Sequence, residues 1–383
     1  MIYLDNCATT KPRIEVINEM ALAMENNFGN PSSLHRLGLY AENALKEARI
    51  SVANFLGVSE REILFTSGGT ESNNLAIQGA LKARRGNHII TTKIEHPSVI
   101  NTIKNYESKG YSISYLENDD QGRICLESLK NVLTKDTALV SIIHVNNEIG
   151  TIQDLEAISK IILESGTTPF FHVDGVQSFG KISFSLKKCN IDSYSFSAHK
   201  IHGPKGVGGL YLNKDSRIAP LFYGGNQENG LRSGTENLPS IMGLKKAVDI
   251  ISISGEYERN SINELRNYLI KLVTENINDI KVNSPIDKTG SPYILNISFK
   301  DIKGEVLLHY LEEKAIYVST ASACSSKGKN KSHVLKAINL DEGLMDATIR
   351  ICFSYENTLE QMEIFVKVLK ESVTDIRSII MRR

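Results

Sequence analysis

The first segment that could do chemistry is a glycine-rich loop, Thr-Ser-Gly-Gly-Thr-Glu-Ser at residues 66–72, between an apolar strand pattern and a helix pattern. Its small residues, its backbone N–H groups and the Thr70 hydroxyl at a helix N-terminus are suited to binding a phosphate. The loop lacks the lysine of a P-loop and the chain has no GxGxxG motif, which disfavours ATP and NAD as cofactors. On this loop alone, a turn in which Thr70 merely caps the helix is an equally good interpretation.

A carboxylate and a lysine follow in an order that suits Schiff-base chemistry. Asp174 comes directly after the apolar run 170–173, at the end of a strand, where ligands gather in open α/β sheets. Lys200 lies twenty-six residues further on, beside Ser and His residues and before a glycine-rich stretch. The lysine could form a Schiff base, the carboxylate could keep a pyridinium nitrogen protonated, and the loop could anchor the ring's phosphate. Taken alone, Asp174 is more often a turn former and Lys200 more often a surface lysine. Chance is a much less satisfactory explanation for the glycine-rich loop, Asp174 and Lys200 in this order.

A single cysteine near the C-terminus could act as a nucleophile. Cys324 lies in Ser-Ala-Cys-Ser-Ser-Lys-Gly-Lys-Asn-Lys at residues 322–331, a small, polar segment with three lysines after the thiol. Positive neighbours lower the pKa of a thiol and raise its thiolate fraction, and the thiolate is the nucleophilic form. Two plainer interpretations stay open, because lone cysteines are most often small buried residues and the lysines could serve only to solvate the loop.

Short apolar runs alternate with helix patterns through residues 62–212. This alternation predicts an α/β fold with a mostly parallel sheet that helices cover on both faces. The strand patterns are 62–65, 88–91, 138–145, 170–173, 193–197 and 207–212, and the helix patterns are 70–84, 97–109 and 155–164.

The rest of the chain predicts a second, smaller α+β unit. A long helix pattern at 239–275 and a loop with two prolines at 284–292 precede it. Strand patterns at 293–299, 316–318 and 348–353 then alternate with helix patterns at 304–314 and from 359. We predict a large domain at 16–255 and a small domain made of 1–15 and 256–383, with the loop of Cys324 at about 319–332.

Composition narrows the possible functions. The 383 residues include 44 Lys and Arg against 44 Asp and Glu, so no global positive field favours direct binding of nucleic acid or of an anionic membrane. No apolar run approaches the roughly 18 residues of a spanning helix, and the N-terminus lacks signal-peptide features, so we expect a cytoplasmic protein. The five cysteines are scattered without a CxxC pair, which argues against a disulfide framework and a metal site.

Nine motifs together resemble the cysteine desulfurases, a group of pyridoxal-phosphate enzymes within the class V aminotransferases, in the branch of the IscS and NifS proteins. They lie at residues 5–10, 28–33, 66–74, 95–97, 144–150, 172–177, 195–209, 232–235 and 322–325. The resemblance covers nearly the whole chain from Tyr3 and implies the transferase fold of type I, with a seven-stranded sheet in the large domain. Position 7 departs from the family pattern, because it is Cys where alanine is usual. Cys7 could lie near the active site and oxidise, although we favour a packing role.

The resemblance also implies a role for each matched residue. Lys200 would bond covalently to pyridoxal 5'-phosphate, Asp174 would pair with its pyridine nitrogen, and Gln177 would bind its phenolic oxygen. His96 would stack on the ring and move a proton to or from the substrate. The implied phosphate ligands are Gly69, Thr70, Ser197 and His199, with Thr235 of the neighbouring subunit of a homodimer. The implied substrate ligands are Asn147, which also lies at the cofactor, Arg350 and Asn30.

The implied reaction converts L-cysteine to L-alanine and leaves a persulfide on Cys324. A sulfur-acceptor protein, either an iron–sulfur scaffold or a thiolation enzyme, would then take the sulfur. A cysteine or selenocysteine lyase or an aminotransferase of the same fold is the alternative, and there Cys324 would be dispensable. A non-enzymatic scaffold is disfavoured, because it would have lost cofactor residues and none is missing. Thr320 and Ala321 replace the usual Ser and Gly before the nucleophile segment, which removes no catalytic group.

Overall fold

The computed structural model describes residues 1–320 and 331–381, which contain strands, α-helices and short 3-10 turns. The strands are β1 (Ile2–Tyr3), β2 (Ile63–Thr66), β3 (His88–Thr92), β4 (Ser112–Leu116), β5 (Thr137–Ile143), β6 (Phe170–Asp174), β7 (Ser193–Ser197), β8 (Gly208–Leu212), β9 (Ile280–Val282), β10 (Ile294–Phe299), β11 (Ile316–Tyr317), β12 (Ser319–Thr320) and β13 (Thr348–Cys352). The helices are α1 (Ile14–Asn26), α2 (Arg36–Leu56), α3 (Gly69–Ala83), α4 (Pro97–Glu107), α5 (Leu126–Val132), α6 (Leu155–Glu164), α7 (Leu238–Asn276), α8 (Gly304–Glu312), α9 (His333–Ala337), α10 (Glu342–Met345) and α11 (Leu359–Met381).

A seven-stranded sheet with the order β2-β8-β7-β6-β5-β3-β4 forms the centre of the larger part of the molecule. β8 runs antiparallel to both of its neighbours, and the other neighbouring pairs are parallel. Every residue of β5 and β6 is buried. Helices on both faces account for these continuous buried runs, since strands covered on one face only would alternate between apolar and polar residues. The expected α/β class with its mostly parallel sheet is confirmed.

The smaller part of the molecule contains a four-stranded antiparallel sheet with the order β12-β13-β10-β9. A separate pair of parallel strands consists of β1 and β11. This is the expected α+β unit, and it includes the N-terminal strand. The chain segment after β1 stays next to β13, because the amide of Cys352 donates a hydrogen bond of 2.7 Å to the carbonyl of Leu4.

The 39-residue helix α7 contributes to two hydrophobic clusters. Its residues up to Ile251 pack in the cluster of the large sheet, and those from Ile262 pack in the cluster of the antiparallel sheet. The domain division after residue 255 stays a prediction.

Two helices near the N-terminus, α1 and α2, carried no sequence prediction. The buried face of α2 is mostly alanine, with Ala41, Ala44 and Ala48 among its buried residues. Alanine gives a weak apolar signal, so the amphipathic pattern is hard to recognise. Across residues 1–320 and 331–381, no helix is both long enough and apolar enough to span a membrane.

Candidate active site

Polar side chains from several strand ends converge on one cavity of about 340 Å³. Asp174 closes β6 and Ser197 closes β7, and these two strands run parallel, so their carboxyl ends lie at the same edge of the sheet. The cavity is lined by Cys7, Ala8, Gly69, Thr70, Asn73, His96, Ser98, Ile143, Asn147, Asp174, Val176, Gln177, Ser197, His199, Lys200 and Arg350. Ten of the residues singled out in the sequence therefore lie together.

Asp174 is buried and held by hydrogen bonds at both carboxylate oxygens. Asn73 on α3 donates to Oδ2 at 2.8 Å, and the backbone N–H of Val176 donates to Oδ1 at 3.0 Å. The amide oxygen of Asn73 contacts Nε2 of His172 at 3.1 Å. Burial lowers the pKa of His172 to about 3, so its ring is neutral. Asp174 thus presents a fixed acceptor that could pair with a protonated ring nitrogen.

Lys200 follows β7 in a short 3-10 turn and meets the N-terminal segment. Its Nζ donates to the carbonyls of Cys7 and Ala8, at 2.5 and 2.9 Å. The side chain of Gln177 donates to the same Cys7 carbonyl at 3.0 Å, and its Oε1 accepts a bond of 3.3 Å from Lys181. The backbone at Cys7 therefore orients both the lysine and the glutamine on one wall of the cavity.

His96 precedes α4, and its ring Nδ1 contacts the Ser98 hydroxyl at 2.8 Å and accepts from the Ser98 backbone N–H at 3.2 Å. Burial lowers its pKa, and the positive charge of Lys200 lowers it further against the opposing effect of Asp174. The ring is therefore neutral near pH 7 and fixed at the edge of the cavity.

The glycine-rich loop forms the other end of the cavity, at the start of α3. A Cβ added at Gly69 would lie 2.4 Å from Cγ2 of Val176, so only glycine fits here without a shift. Thr66 supports the loop by donating to the Gly68 carbonyl at 3.2 Å. The buried hydroxyl of Ser197 lacks a hydrogen-bond partner among the described residues. Because the first-turn N–H groups of a helix have no intrahelical acceptor, this end suits a phosphate.

His199 lies at the same end, where its Nδ1 contacts the hydroxyl of Thr9 at 3.3 Å. Burial and the neighbouring lysines lower its pKa to about 4. The neutral ring of His199 can therefore donate an N–H to a phosphate.

Arg350 on β13 supplies a buried positive charge, 4% exposed. Its guanidinium donates to the carbonyl of Asn147 at 2.8 Å and pairs with Asp5 at 3.0 Å. Burial would lower its pKa, but the negative charges of its neighbours raise it above the ordinary value, so it stays charged. Within residues 1–320 and 331–381, neither Nε of Arg350 nor Oδ1 of Asn147 has a hydrogen-bond partner, although both are buried. The Nε–H of Arg350 could donate a hydrogen bond to a carboxylate, and the amide oxygen of Asn147 could accept one from a donor.

Two predicted residues are not at this cavity, and a third is not among the described residues. Asn30 is exposed and accepts a bond from the amide of Ser32 at 2.9 Å. Thr235 is also exposed, and its predicted contact with the cofactor of a neighbouring subunit stays a prediction. Cys324 lies outside the described residues.

Two residues at the cavity were missed or undervalued in the sequence. Asn73 lies in the quoted motif 66–74, one helical turn after Gly69, but the carboxylate that it orients is 101 positions away. For Cys7 a packing role was preferred and a place near the active site was left open. The structure shows both, because Cys7 lines the cavity and is packed in a buried cluster with only 2% of its surface exposed.

Comparisons with known proteins agree with this geometry. Residues 2–365 match the family model described as aminotransferase class-V. The cysteine desulfurase IscS of Dictyoglomus turgidum is 42% identical over 380 residues, which covers 99% of this chain and 96% of the relative. A solved structure described as a NifS-like protein has a TM-score of 0.92 at 39% identity and covers 97% of this chain and 99% of its own. A structure described as SspA in complex with cysteine has a TM-score of 0.81 at 35% identity, and the match covers 94% of this chain and 100% of that structure's chain.

Each match extends over nearly the full length of this chain and of the protein compared with it. The strands of the large sheet, Asp174 and Lys200 all lie inside the matched region. This chain therefore belongs to the class V aminotransferase family and, within it, to the cysteine desulfurases.

Proposed function

We propose that this protein uses pyridoxal 5'-phosphate to remove sulfur from L-cysteine, which yields L-alanine and a persulfide on Cys324. The observation that carries the proposal is one cavity lined by Asp174, Lys200, His96 and Arg350. A buried carboxylate, an amine, a neutral imidazole and a guanidinium are the groups that this chemistry needs. The solved relative whose description names cysteine as its ligand supports the choice of substrate.

The residues of the cavity fit this cofactor. Ser197 brings a buried hydroxyl that lacks a partner in the described part of the chain, and Gly69 leaves room beside the helix N-terminus for a phosphate. Asp174 would pair with the pyridine nitrogen and Gln177 with the phenolic oxygen, while Thr70 and His199 would add phosphate contacts. When bound, pyridoxal phosphate supplies a conjugated ring that takes up negative charge formed at the substrate Cα.

The chain's own residues would orient the substrate and move its protons. Arg350 would bind the carboxylate with its planar fork, helped by Asn147. The Nζ of Lys200 would take the Cα proton, since a positioned amine is an effective general base. His96, neutral near pH 7, would carry a proton to or from the substrate. Asn30 could assist at the carboxylate, but as an exposed residue it has the weakest support.

The sulfur transfer itself would use Cys324. Its thiolate would attack the substrate sulfur, so that an S–S bond forms while the substrate's C–S bond breaks and the carbon fragment leaves as alanine after protonation. We further propose a homodimer, in which Thr235 of each subunit serves the other's phosphate, and a sulfur-acceptor protein of the iron–sulfur or thiolation type.

Two variants test the proposal. In the Lys200→Ala variant, the absorbance of the lysine-bound cofactor should be lost, and neither alanine nor persulfide should form. In the Cys324→Ser variant, that absorbance should remain while the persulfide is lost. A persulfide yield that is undiminished in Cys324→Ser would contradict the role of Cys324, and sulfide with pyruvate would indicate a lyase. Cys125→Ala is the matched control, since Cys125 is exposed and lies outside the cavity lining.

A further inference from the structure

Two buried thiols contact each other beside the lysine of the active site. The side chains of Cys7 and Cys352 belong to one buried cluster and interact with each other, although 345 positions separate them. Cys7 is 2% exposed and Cys352 is 0% exposed, and both are free thiols. The contact is built into the fold, because Asn6 donates a hydrogen bond of 2.9 Å to the Cys352 carbonyl and holds the N-terminal segment on β13.

The two thiols differ in access and in acidity. Cys7 lines the active-site cavity, whereas Cys352 lies behind it in the core of the antiparallel sheet. Burial favours the neutral form of both thiols, and the pKa of Cys352 is well above its ordinary value. At Cys7 the interaction with Cys352 and nearby positive charges outweigh burial and hold the pKa of the thiol below its ordinary value. The charges are those of Lys181, Arg350 and Lys200.

We infer that Cys7 and Cys352 form a redox-modification site, which a small hydroperoxide entering the cavity converts to an intramolecular disulfide. The reactive thiol would be Cys7, because the thiolate is the nucleophile in such reactions and Cys7 is the one that the cavity reaches. Cys352 would be the resolving thiol, already in contact with it. The inference concerns the resting enzyme and does not depend on the desulfurase reaction.

The chemistry balances in two steps. With hydrogen peroxide, the Cys7 thiolate attacks one peroxide oxygen, so that an S–O bond forms, the O–O bond breaks, and the departing hydroxide takes up a proton and leaves as water; an organic hydroperoxide would release an alcohol instead. The sulfur of Cys352 then attacks that of Cys7, so that the S–S bond forms and the S–O bond breaks. The hydroxyl leaves as a second water with the proton of Cys352. The two thiols lose two electrons in total, and the peroxide gains them.

Disulfide formation would also affect residues proposed to bind the cofactor, because they are hydrogen-bonded to the backbone of Cys7. The carbonyl of Cys7 accepts from Lys200 at 2.5 Å and from Gln177 at 3.0 Å. A disulfide needs an S–S bond of about 2 Å, shorter than any hydrogen bond between thiols, so its formation draws Cys7 towards Cys352. Gln177, which that carbonyl holds in place and which we place at the phenolic oxygen of the cofactor, would shift with Cys7, and the absorbance of the bound cofactor should report the shift.

The test uses the holoenzyme of Cys324→Ser, so that the proposed nucleophile is not the oxidised thiol. After treatment with hydrogen peroxide, free thiols are alkylated under denaturing conditions and peptides are mapped by mass spectrometry without reductant. We expect one cross-linked pair joining the peptides of Cys7 and Cys352, with both losing their alkylated forms in parallel. Dithiothreitol should restore the alkylated forms and also reverse a shift in the cofactor absorbance.

Three variants in the same background complete the experiment. Cys7→Ala restores the residue usual at this position and should abolish the reversible absorbance shift, and Cys352→Ala should abolish the cross-link. Cys125→Ala should change neither, because Cys125 is exposed and is not part of the cavity lining. The inference is overturned if Cys7 and Cys352 stay fully alkylated at peroxide concentrations that oxidise Cys125. It is equally overturned if an absorbance shift of the same size persists in Cys7→Ala.

Discussion

The side-chain amide of Asn73 donates a 2.8 Å hydrogen bond to the carboxylate of Asp174, which joins helix α3 to strand β6 at the centre of the active site. Asn73 also donates to the hydroxyl of Ser98 at 2.9 Å, and Ser98 in turn contacts the ring of His96. One buried amide therefore links the carboxylate proposed for the ring nitrogen to the imidazole proposed to stack on the ring. Asn73 is a positioning residue in this arrangement.

Substitution of Asn73 by Ala should weaken cofactor binding. The change removes a hydrogen bond to a buried carboxylate, worth about 1.5–3 kcal/mol, which corresponds to roughly a tenfold to hundredfold loss in affinity. Titration of the apoenzyme with pyridoxal phosphate, followed by absorbance, measures the effect. Gln78→Ala, further along the same helix, is the control and should bind normally. An unchanged dissociation constant in Asn73→Ala would show that Asp174 keeps its orientation without this partner.

Substitution of Gly69 by Ala should disturb the phosphate end of the site. The added Cβ would lie 2.4 Å from Cγ2 of Val176, so the loop or the valine must move. Such overpacking typically costs about 1–3 kcal/mol, and we expect cofactor affinity to fall accordingly. Val176→Ala removes the colliding methyl group, so the double variant should bind better than Gly69→Ala alone. Absence of this rescue in the same titration would refute a steric origin.

The pH dependence should reflect a neutral His96. Burial and Lys200 lower its pKa from the ordinary 6.5, so in the folded protein the ring gains a proton only at a more acidic pH. If the neutral ring is the active form, kcat/KM should fall on the acid side with an apparent pKa below 6.5. The pH profile of kcat/KM for L-cysteine checks this. His96→Gln should lose this limb together with most of the activity, and a limb that persists in the variant would assign the titration to another group.

Replacement of Arg350 by Lys should raise KM more than it lowers kcat. Lysine keeps the charge but cannot form the planar two-point contact with a carboxylate while it also bonds Asn147 and Asp5. We expect KM for L-cysteine to rise about tenfold or more, with cofactor absorbance unchanged. Arg377→Lys, at a half-buried position of α11 that is not part of the cavity lining, is the control. A normal KM in Arg350→Lys would place the substrate carboxylate elsewhere.

The order of Gly69, Asp174 and Lys200 in the sequence was enough to predict that these residues meet. Parallel strands bring their carboxyl ends to one edge, so residues that follow such strands converge whatever the distance along the chain. The short apolar runs predicted most strands of the large sheet within a few residues. They could not predict that β8 runs antiparallel, because strand direction depends on the connection and not on the run itself.

Contacts between distant segments account for what was missed. Asn73 gains its role from Asp174, and Cys7 gains its place in the cavity from β13 and Lys200, which are remote in sequence. Such pairings are products of tertiary packing and leave no local pattern. Asn30 and Thr235 were predicted from motifs alone, and in the described chain both are exposed and lie outside the cavity lining.

The most direct test of the central claim is to incubate the purified holoenzyme with L-cysteine, without added reductant, and to locate any added sulfur by intact and peptide mass spectrometry. We predict one added sulfur atom on the peptide that contains Cys324, with an equal amount of L-alanine. Cys125 should remain unmodified in the same digest. Alanine or pyruvate formed without a modified Cys324 peptide would contradict the account and indicate a lyase or an aminotransferase.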